Sequence, residues 1–348
     1  MAQETRENMQ TSVINLIREG LLGKRENLKQ WQVTTPEPRK QMELGFADES
    51  VVQAEVELID ASLEKIETGV YGMCEVCHDP MDVELLQMDF TATVCLGHYT
   101  EDQLRQLESE LELSQIVQRA LLPQQVPSIA SYDIAAFSRP AQIVTGDYFD
   151  FLQFEDGTHG FVLADVSGHG VSAGMLMSSL QTVFHTLAPE TDSPVDVLKR
   201  INRLYIHNIN FSTFVTIFFA RLDPQSRMLS YASAGHNPPL LYRGSTKGVT
   251  WLKPTGAAIG LMEDYRVQLE SVELMQGDIL LLYTDGIVEA LRPLGNEQFG
   301  YDRLVEVIQQ NEDLPANELT QKIRQVLNDF TQGSLLADDV TLILCKVN

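Results

Sequence analysis

Four aspartates occupy positions where apolar, strand-like runs begin or end. Asp165 follows Phe161-Val162-Leu163-Ala164, and Asp285 follows the run Ile279 to Thr284. Asp147 precedes Tyr148-Phe149, and Asp338 comes just before the run Val340 to Leu344. A carboxylate at the mouth of a strand is held by the backbone and cannot easily retreat to water. Four of them, each beside a glycine or a second acid, make the donor set of a hard cation, which prefers oxygen ligands. That chemistry points to metal-dependent hydrolysis.

A second donor set is softer. Cys74-Glu75-Val76-Cys77 is followed by Cys95-Leu96-Gly97-His98. Two pairs of ligands separated by a short loop fit tetrahedral zinc, through Cys74, Cys77, Cys95 and His98. All four positions would be filled by protein, which makes the site structural. Zinc would also add folding energy to a segment too small to fold alone. His78, next to Cys77, is a competing ligand or a surface histidine.

The elements that must carry these residues follow from length and pattern. The chain has 348 residues, 44 % of them hydrophobic, enough for two or three domains with real cores. Lys and Arg number 25 against 49 Asp and Glu, a net charge of −24. Such an acidic chain is a poor candidate for sequence-independent binding to nucleic acid or to anionic membranes, and it suits divalent cations. No apolar run is long enough to span a bilayer. Residues 1–6 lack the basic and apolar stretches of a secretory signal, so the cytoplasm is the expected compartment. Three of the four cysteines cluster between Cys74 and Cys95, which in a reducing compartment favours metal ligation over disulfides.

Three segments separate: 1–99, 100–123 and 124–348. The first reads as a helix over about 5–31, broken by Pro36 and Pro38, and a second over about 50–68. Val52, Val56, Ile59, Leu63 and Ile66 of the second fall at helical spacing, and the pair suggests an antiparallel hairpin. Over 100–122 a connecting helix starts at a Thr100/Gln103 capping box and stops at Pro123. Its apolar repeat, Leu104, Leu107, Leu111, loses register at Ser114 and resumes through Leu113, Val117 and Ala120. That pattern fits a short coiled coil with a stutter, and hence a homodimer, or an amphipathic helix packed on its own domain. Beyond 125, short β-rich runs appear at 132–138, 148–154, 160–165, 214–222, 228–234, 238–243, 266–273, 278–284 and 340–347. Helical stretches fall at about 170–187, 193–208, 301–311 and 316–330. Many strands with few helices between them predict an α+β fold of stacked antiparallel sheets flanked by helices.

Two family resemblances sharpen this reading. The stretch Ile66 to Cys77, with Thr68-Gly69-Val70-Tyr71-Gly72 before the first cysteine pair, resembles the DksA/TraR zinc-finger family. It covers roughly the first 100 residues. His98 stands where that family usually has its last cysteine, and His78 replaces a common glycine. The turn 36–50 lacks the paired aspartates and alanine of the family's polymerase-acting tips. Zinc binding carries over; polymerase regulation does not.

The second covers about 120–348. Leu121-Leu122-Pro123, Val144-Thr145-Gly146-Asp147-Tyr148-Phe149-Asp150, Ala164-Asp165-Val166-Ser167-Gly168-His169-Gly170, Ala234-Gly235-His236-Asn237-Pro238-Pro239, Tyr283-Thr284-Asp285-Gly286 and Asp338-Asp339-Val340-Thr341 occur in that order. The set resembles the bacterial PPM-type serine/threonine phosphatases of the RsbU/SpoIIE group, related to protein phosphatase type 2C. The resemblance implies an α/β/β/α sandwich and two Mn²⁺ or Mg²⁺ ions, roughly 3.5–4 Å apart, that activate a water to attack phosphorus. It implies that Asp165 bridges both ions and that the Val166 carbonyl ligates one. Asp285 and Asp338 would be further ligands, Asp147 would bind directly or through water, and Asp339 would ligate or support. It also implies a phosphorylated protein substrate such as an anti-sigma-factor antagonist, with the zinc finger and linker helix as regulatory input. Thr145 stands where many members have glycine, and 144–150 holds no phosphate-clamping arginine, so docking to a protein substrate must supply affinity. Asp150, Asp156 and Asp278 are expected in turns or caps, His169 in a structural turn, and His236 as a brace for its loop. The alternative is a zinc-finger transcription regulator whose phosphatase-like module is inactive; retention of all the expected acids speaks against it.

Overall fold

The computed structural model describes residues 2–34, 40, 49–82, 85–86, 90–168, 170–191, 193–208, 214–293, 297–334 and 336–348. It divides into two compact units, 1–109 and 110–348. In the first, helix α1 (Ala2–Thr34) and helix α2 (Glu49–Glu67) run antiparallel. Leu21 packs with Ile59 and Leu63, and Ile17 with Ile66, while Gln32 reaches Gln53 at the other end. Lys24–Glu55 and Arg25–Asp60 ion pairs flank this seam. A small core of Tyr71, Cys74, Met81 and Leu86 follows, against Ile14, Ile17 and Ile66. The tip 35–48, apart from Lys40, lies outside the described residues, and with it the expected Pro36 and Pro38 turn. Helix α3 (Glu101–Leu121) opens on the expected reciprocal cap: Thr100 N donates to Gln103 Oε1 at 2.9 Å, and Gln103 N to Thr100 Oγ1 at 3.3 Å.

In the second unit, strand alternation explains the layers. One sheet orders β2 (Asp147–Gln153), β3 (His159–Val166), β4 (Val215–Asp223), β5 (Met228–Ala234) and β8 (Glu270–Glu273). The other orders β1 (Tyr132–Arg139), β10 (Val340–Val347), β9 (Ile279–Tyr283), β6 (Leu240–Tyr242) and β7 (Val249–Trp251). Every pairing within them is antiparallel. Successive side chains of a strand point to opposite faces. Phe161 and Leu163 of β3 therefore join Leu280 and Leu282 of β9 and Ile343 and Cys345 of β10 in the layer between the sheets. Val162, Ala164 and Val166 face outward, onto helices α4 (Gly170–Leu187) and α5 (Pro194–Asn208). Ile279, Leu281, Tyr283, Leu342 and Leu344 face the opposite way, onto α7 (Gly300–Gln310) and α8 (Ala316–Thr331). Each fully buried side chain of this kind stabilises the fold by about 1.5–3 kcal/mol.

The stacked sheets flanked by helices match the expected sandwich. Three departures are local. β7, only three residues long, has no counterpart among the expected runs. The 266–273 run shortens to Glu270–Glu273. Asp285 does not merely end β9; it starts a single helical turn, α6 (Asp285–Val288). Among the described residues no helix is long and apolar enough to cross a membrane.

Candidate metal centre

Strand parity brings the acids together. Asp147 and Asp165 are register partners across β2 and β3. Their odd numbering puts them in step with Phe149, Phe161 and Leu163, so both face the layer between the sheets. Partnered residues of this kind hold their Cβ atoms about 4.5–5.5 Å apart. From the other sheet, Thr284 ends the approach of β9 and Asp339 that of β10. Thr284 N donates to Thr341 O at 3.0 Å, and Thr341 N to Thr284 Oγ1 at 3.0 Å. The Thr284 hydroxyl donates to Asp147 Oδ2 at 2.9 Å, which fastens one sheet to the other at the acids.

Asp339 is buried, and its carboxylate serves the neighbouring loop. Oδ1 accepts from Ala141 N at 2.7 Å, and Oδ2 from Thr145 Oγ1 at 2.8 Å and Gly146 N at 2.7 Å. Asp338, by contrast, is exposed, with Oδ1 accepting from Asp339 N at 2.8 Å. Asp165 and Asp285 are half-buried. Gly286 fits only as glycine: a Cβ there would come within 2.0 Å of Asp339 O. Gly146 is merely tight, since its Cβ would lie 3.1 Å from the Val166 carbonyl oxygen.

The electrostatics record the convergence. Burial, then the charges of Asp165 and Asp339, pushes the Asp147 carboxyl well above the ordinary carboxylate range. Burial, then Asp285, Asp338 and Asp339, raises Asp165 to about 7. Burial, then Asp338 and Glu289, raises Asp285 to about 6. Among the described residues no lysine or arginine forms an ion pair with Asp147, Asp165 or Asp285. Packed carboxylates without a cationic side chain fit hard divalent cations, which relieve that repulsion. Among the described residues, no three of these acids bring their ligand oxygens within 4.8 Å of one another.

The soft donors do close to that distance. Cys74 Sγ, Cys77 Sγ, Cys95 Sγ and one ring nitrogen of His98 all lie within 4.8 Å of one another. Cys95 Sγ is 3.0 Å from His98 Nδ1, Cys74 Sγ 3.6 Å from it, and Cys77 Sγ 3.9 Å from Cys95 Sγ. Thiolates ~2.3 Å from a tetrahedral zinc stand about 3.8 Å apart, so the set fits that ion. Burial works to raise the Cys74 thiol, but backbone amides of Cys77, Cys95 and Val76 outweigh it and hold it at about 6. His78 takes a left-handed backbone (φ 59°) and stays outside the set.

Other expected residues divide. His169 lies outside the described residues. His236 is fully buried, and its Nδ1 is 2.8 Å from Thr216 Oγ1. Thr216 is the register partner of Asp165 on β4, so His236 is tied to the sheet beside the acids. Burial pushes its imidazole down to about 3, which keeps it neutral. Asp156 accepts from Thr158 N and Oγ1, and Asp278 from Gly244 N and Met275 N, in turns as expected. Asp150 differs. One residue out of step with Phe149, it faces α4, where Oδ2 accepts from Tyr148 OH at 2.6 Å and lies 2.8 Å from His185 Nε2. Sequence reading also missed Gln118 on α3. It is buried, accepts from Thr145 N at 2.8 Å and donates to Thr145 O at 2.8 Å.

The sequence pattern of the family Stage II sporulation protein E (SpoIIE) matches residues 155–348. The chain belongs to the SpoIIE family of PP2C-type serine/threonine phosphatases. It is 31 % identical over 268 residues to phosphoserine phosphatase RsbU of Bacillus subtilis, covering 74 % of this chain and 78 % of that protein. Among solved structures, the SiaA-PP2C domain of Pseudomonas aeruginosa aligns with a TM-score of 0.63 at 21 % identity, over 70 % of this chain and 98 % of that one. That likeness speaks for the PP2C fold alone. The RsbU and RsbW domains of Rv1364c from Mycobacterium tuberculosis align at 29 % identity and TM-score 0.57, over 66 % of this chain and 63 % of that one.

Proposed function

We propose that this SpoIIE-family phosphatase hydrolyses phosphoserine or phosphothreonine on a partner protein, with Asp147, Asp165, the Val166 carbonyl, Asp285 and Asp338 holding two Mn²⁺ or Mg²⁺ ions. The observation that carries the reading is the register pairing of Asp147 with Asp165 opposite the Thr284–Asp285 corner, with the carboxyls of Asp147, Asp165 and Asp285 all raised by burial and mutual repulsion. Such ions, when bound, supply a polarised attacking water and offset charge on the phosphoryl oxygens. The protein's part is positional. Thr284 fixes the Asp147 carboxylate, and Asp339 organises the 141–146 loop that carries Gly146 against the Val166 carbonyl. In this reading Asp339 supports the site through that loop, whether or not it also ligates an ion.

The similarity to RsbU, a phosphoserine phosphatase, favours a phosphoserine protein substrate of the anti-sigma-factor-antagonist kind. The Cys74, Cys77, Cys95 and His98 set would hold one structural Zn²⁺ and make the first unit a regulatory input. Leu113, Ile116 and Val117 are more than half exposed on α3, which supports pairing of two such helices in a homodimer. The test is release of phosphate from a phosphoprotein with and without Mn²⁺, comparing wild type with Asp165→Ala. Metal-dependent release by the wild type alone is expected; equal rates would sink the enzyme reading.

A further inference from the structure

A groove of about 620 Å³ opens between edge strand β7 and helix α7. Val249 and Trp251 form its strand side, and Tyr301 and Val305 its helix side. The Trp251 and Tyr301 rings meet edge to face, with centroids 5.4 Å apart, and Tyr301 remains 46 % exposed. Pro238 also lines it.

Two features say what belongs there. The first is the strand edge. β7 pairs with β6 alone among the described strands. Arg243 N donates to Gly248 O, and Leu252 N to Pro239 O. Antiparallel bonding alternates along a strand, so Thr250 also bonds inward while Val249 and Trp251 present their N–H and C=O groups outward. A free edge of this kind accepts an added extended segment. The second is charge. Asp302 and Glu306 stand one helical turn apart on the groove wall, where like charges repel. Neither has an ion-pair partner among the described residues, whereas nearby Arg303 is paired with Glu297 and Lys247 with Glu312.

We propose that this groove docks an extended, lysine- or arginine-bearing segment of the phosphoprotein substrate, with an apolar side chain between Trp251 and Val305. The assignment rests on the phosphatase reading above and supplies the affinity that the lack of a clamping arginine in 144–150 leaves to docking. The groove adjoins the acids through the chain itself. Tyr283 OH donates to Pro238 O at 3.0 Å, and Thr284-Asp285 follow directly. A substrate held along β7 thus leads toward the metal centre.

Trp251 is one of only two tryptophans, the other being Trp31. In the full chain carrying Trp31→Phe, its emission reports the groove without any catalysis. The probes are a synthetic extended peptide of alternating lysine and valine and its glutamate counterpart. Saturable change of Trp251 emission with the lysine peptide, at least tenfold weaker with the glutamate peptide, is the expected result. Asp302→Lys with Glu306→Lys should reverse that preference, and Asp302→Asn with Glu306→Gln should abolish it. Metal-dependent hydrolysis of p-nitrophenyl phosphate should be unchanged in both double variants, which also shows that they fold. With phosphoserine placed in the lysine peptide, the double variants should raise KM about tenfold and leave kcat alone. Equal binding of the two peptides, no change in emission, or self-association that buries Trp251 would each overturn the docking assignment. If wild type fails to hydrolyse p-nitrophenyl phosphate, the phosphatase reading falls, while the peptide-binding result still decides the groove.

Discussion

Gln118 and Thr145 exchange two hydrogen bonds, each 2.8 Å long, between the end of helix α3 and the loop that leads into Asp147. Gln118 Nε2 also reaches Gly174 O on α4 at 3.4 Å. A buried amide that satisfies both polar atoms of Thr145's backbone holds the loop in one place; losing it strands those groups at a cost of about 1–3 kcal/mol. Gln118→Leu should therefore lower phosphatase kcat roughly tenfold, with a smaller loss on Gln118→Glu, which keeps the acceptor to Thr145 N. Steady-state kinetics with saturating Mn²⁺ checks this. An unchanged kcat in Gln118→Leu would separate the helix from the site.

The raised carboxyls predict how pH and metal act on stability. When folded and chelated, Asp147, Asp165 and Asp285 hold protons more tightly than when unfolded. Between the ordinary value of 3.8 and the Asp165 value of about 7, the folded chain carries the extra protons. Stability of the chelated protein therefore falls as pH rises through that window. Mn²⁺ or Mg²⁺ displaces those protons, so the metal-induced rise in Tm should be larger at about pH 8 than at about pH 5. Thermal melts with excess EDTA and with excess Mn²⁺ at both pH values measure it.

Asp165→Asn separates chemistry from stability. Removing one charge from the cluster relieves repulsion on Asp147, where Asp165 is the largest electrostatic contributor after burial. The chelated variant should melt above the chelated wild type, while metal-dependent turnover drops by on the order of 10²–10³-fold. A variant that loses stability along with activity would show that Asp165 serves packing instead.

Much of this site was legible because strand-end acids stand out against continuous apolar runs. Asp147, Asp165, Asp285 and Asp338 were all identifiable that way, and the two-sheet sandwich followed from many strands between few helices. Which face each residue takes was not legible in the same sense. β3 and β9 are buried on both sides, so hydropathy shows no alternation. Counting parity from Asp147 would nonetheless have sent Asp150 toward α4, away from the cap role expected of it. His185 as its partner, lying on a helix 35 residues on, had no signal at all. Gln118 was invisible for a different reason: its partners are backbone atoms of Thr145 and Gly174, which carry no side-chain identity. β7 and α6, at three and four residues, are shorter than any periodicity can register.

Gly286 offers a steric test of the corner beside Asp285. Its absent Cβ leaves room for the Asp339 carbonyl, only 2.0 Å from where that atom would sit, and backbone cannot yield as a side chain tip can. Gly286→Ala should destabilise the protein by about 1–3 kcal/mol and abolish turnover even at high Mn²⁺. Urea unfolding in EDTA isolates the first effect from metal loss. A variant with wild-type stability and activity would mean that the α6 corner opens freely.

The Cys/His site makes its own prediction, independent of the phosphatase. Cys74 lies fully buried in a core that, among the described residues, holds four buried side chains, so the donor set and that core are one structure. A segment with so little apolar area needs a metal to hold it. Cys95→Ser should lower bound zinc from about one per chain to near zero, and expose Tyr71 and Met81 to proteolysis. The phosphatase unit should keep its own melting transition, since residues 110–348 have separate cores. Metal analysis and limited proteolysis read the first effect, and calorimetry the second. Full zinc content in Cys95→Ser would reassign the fourth ligand, with exposed His78 the next donor in sequence.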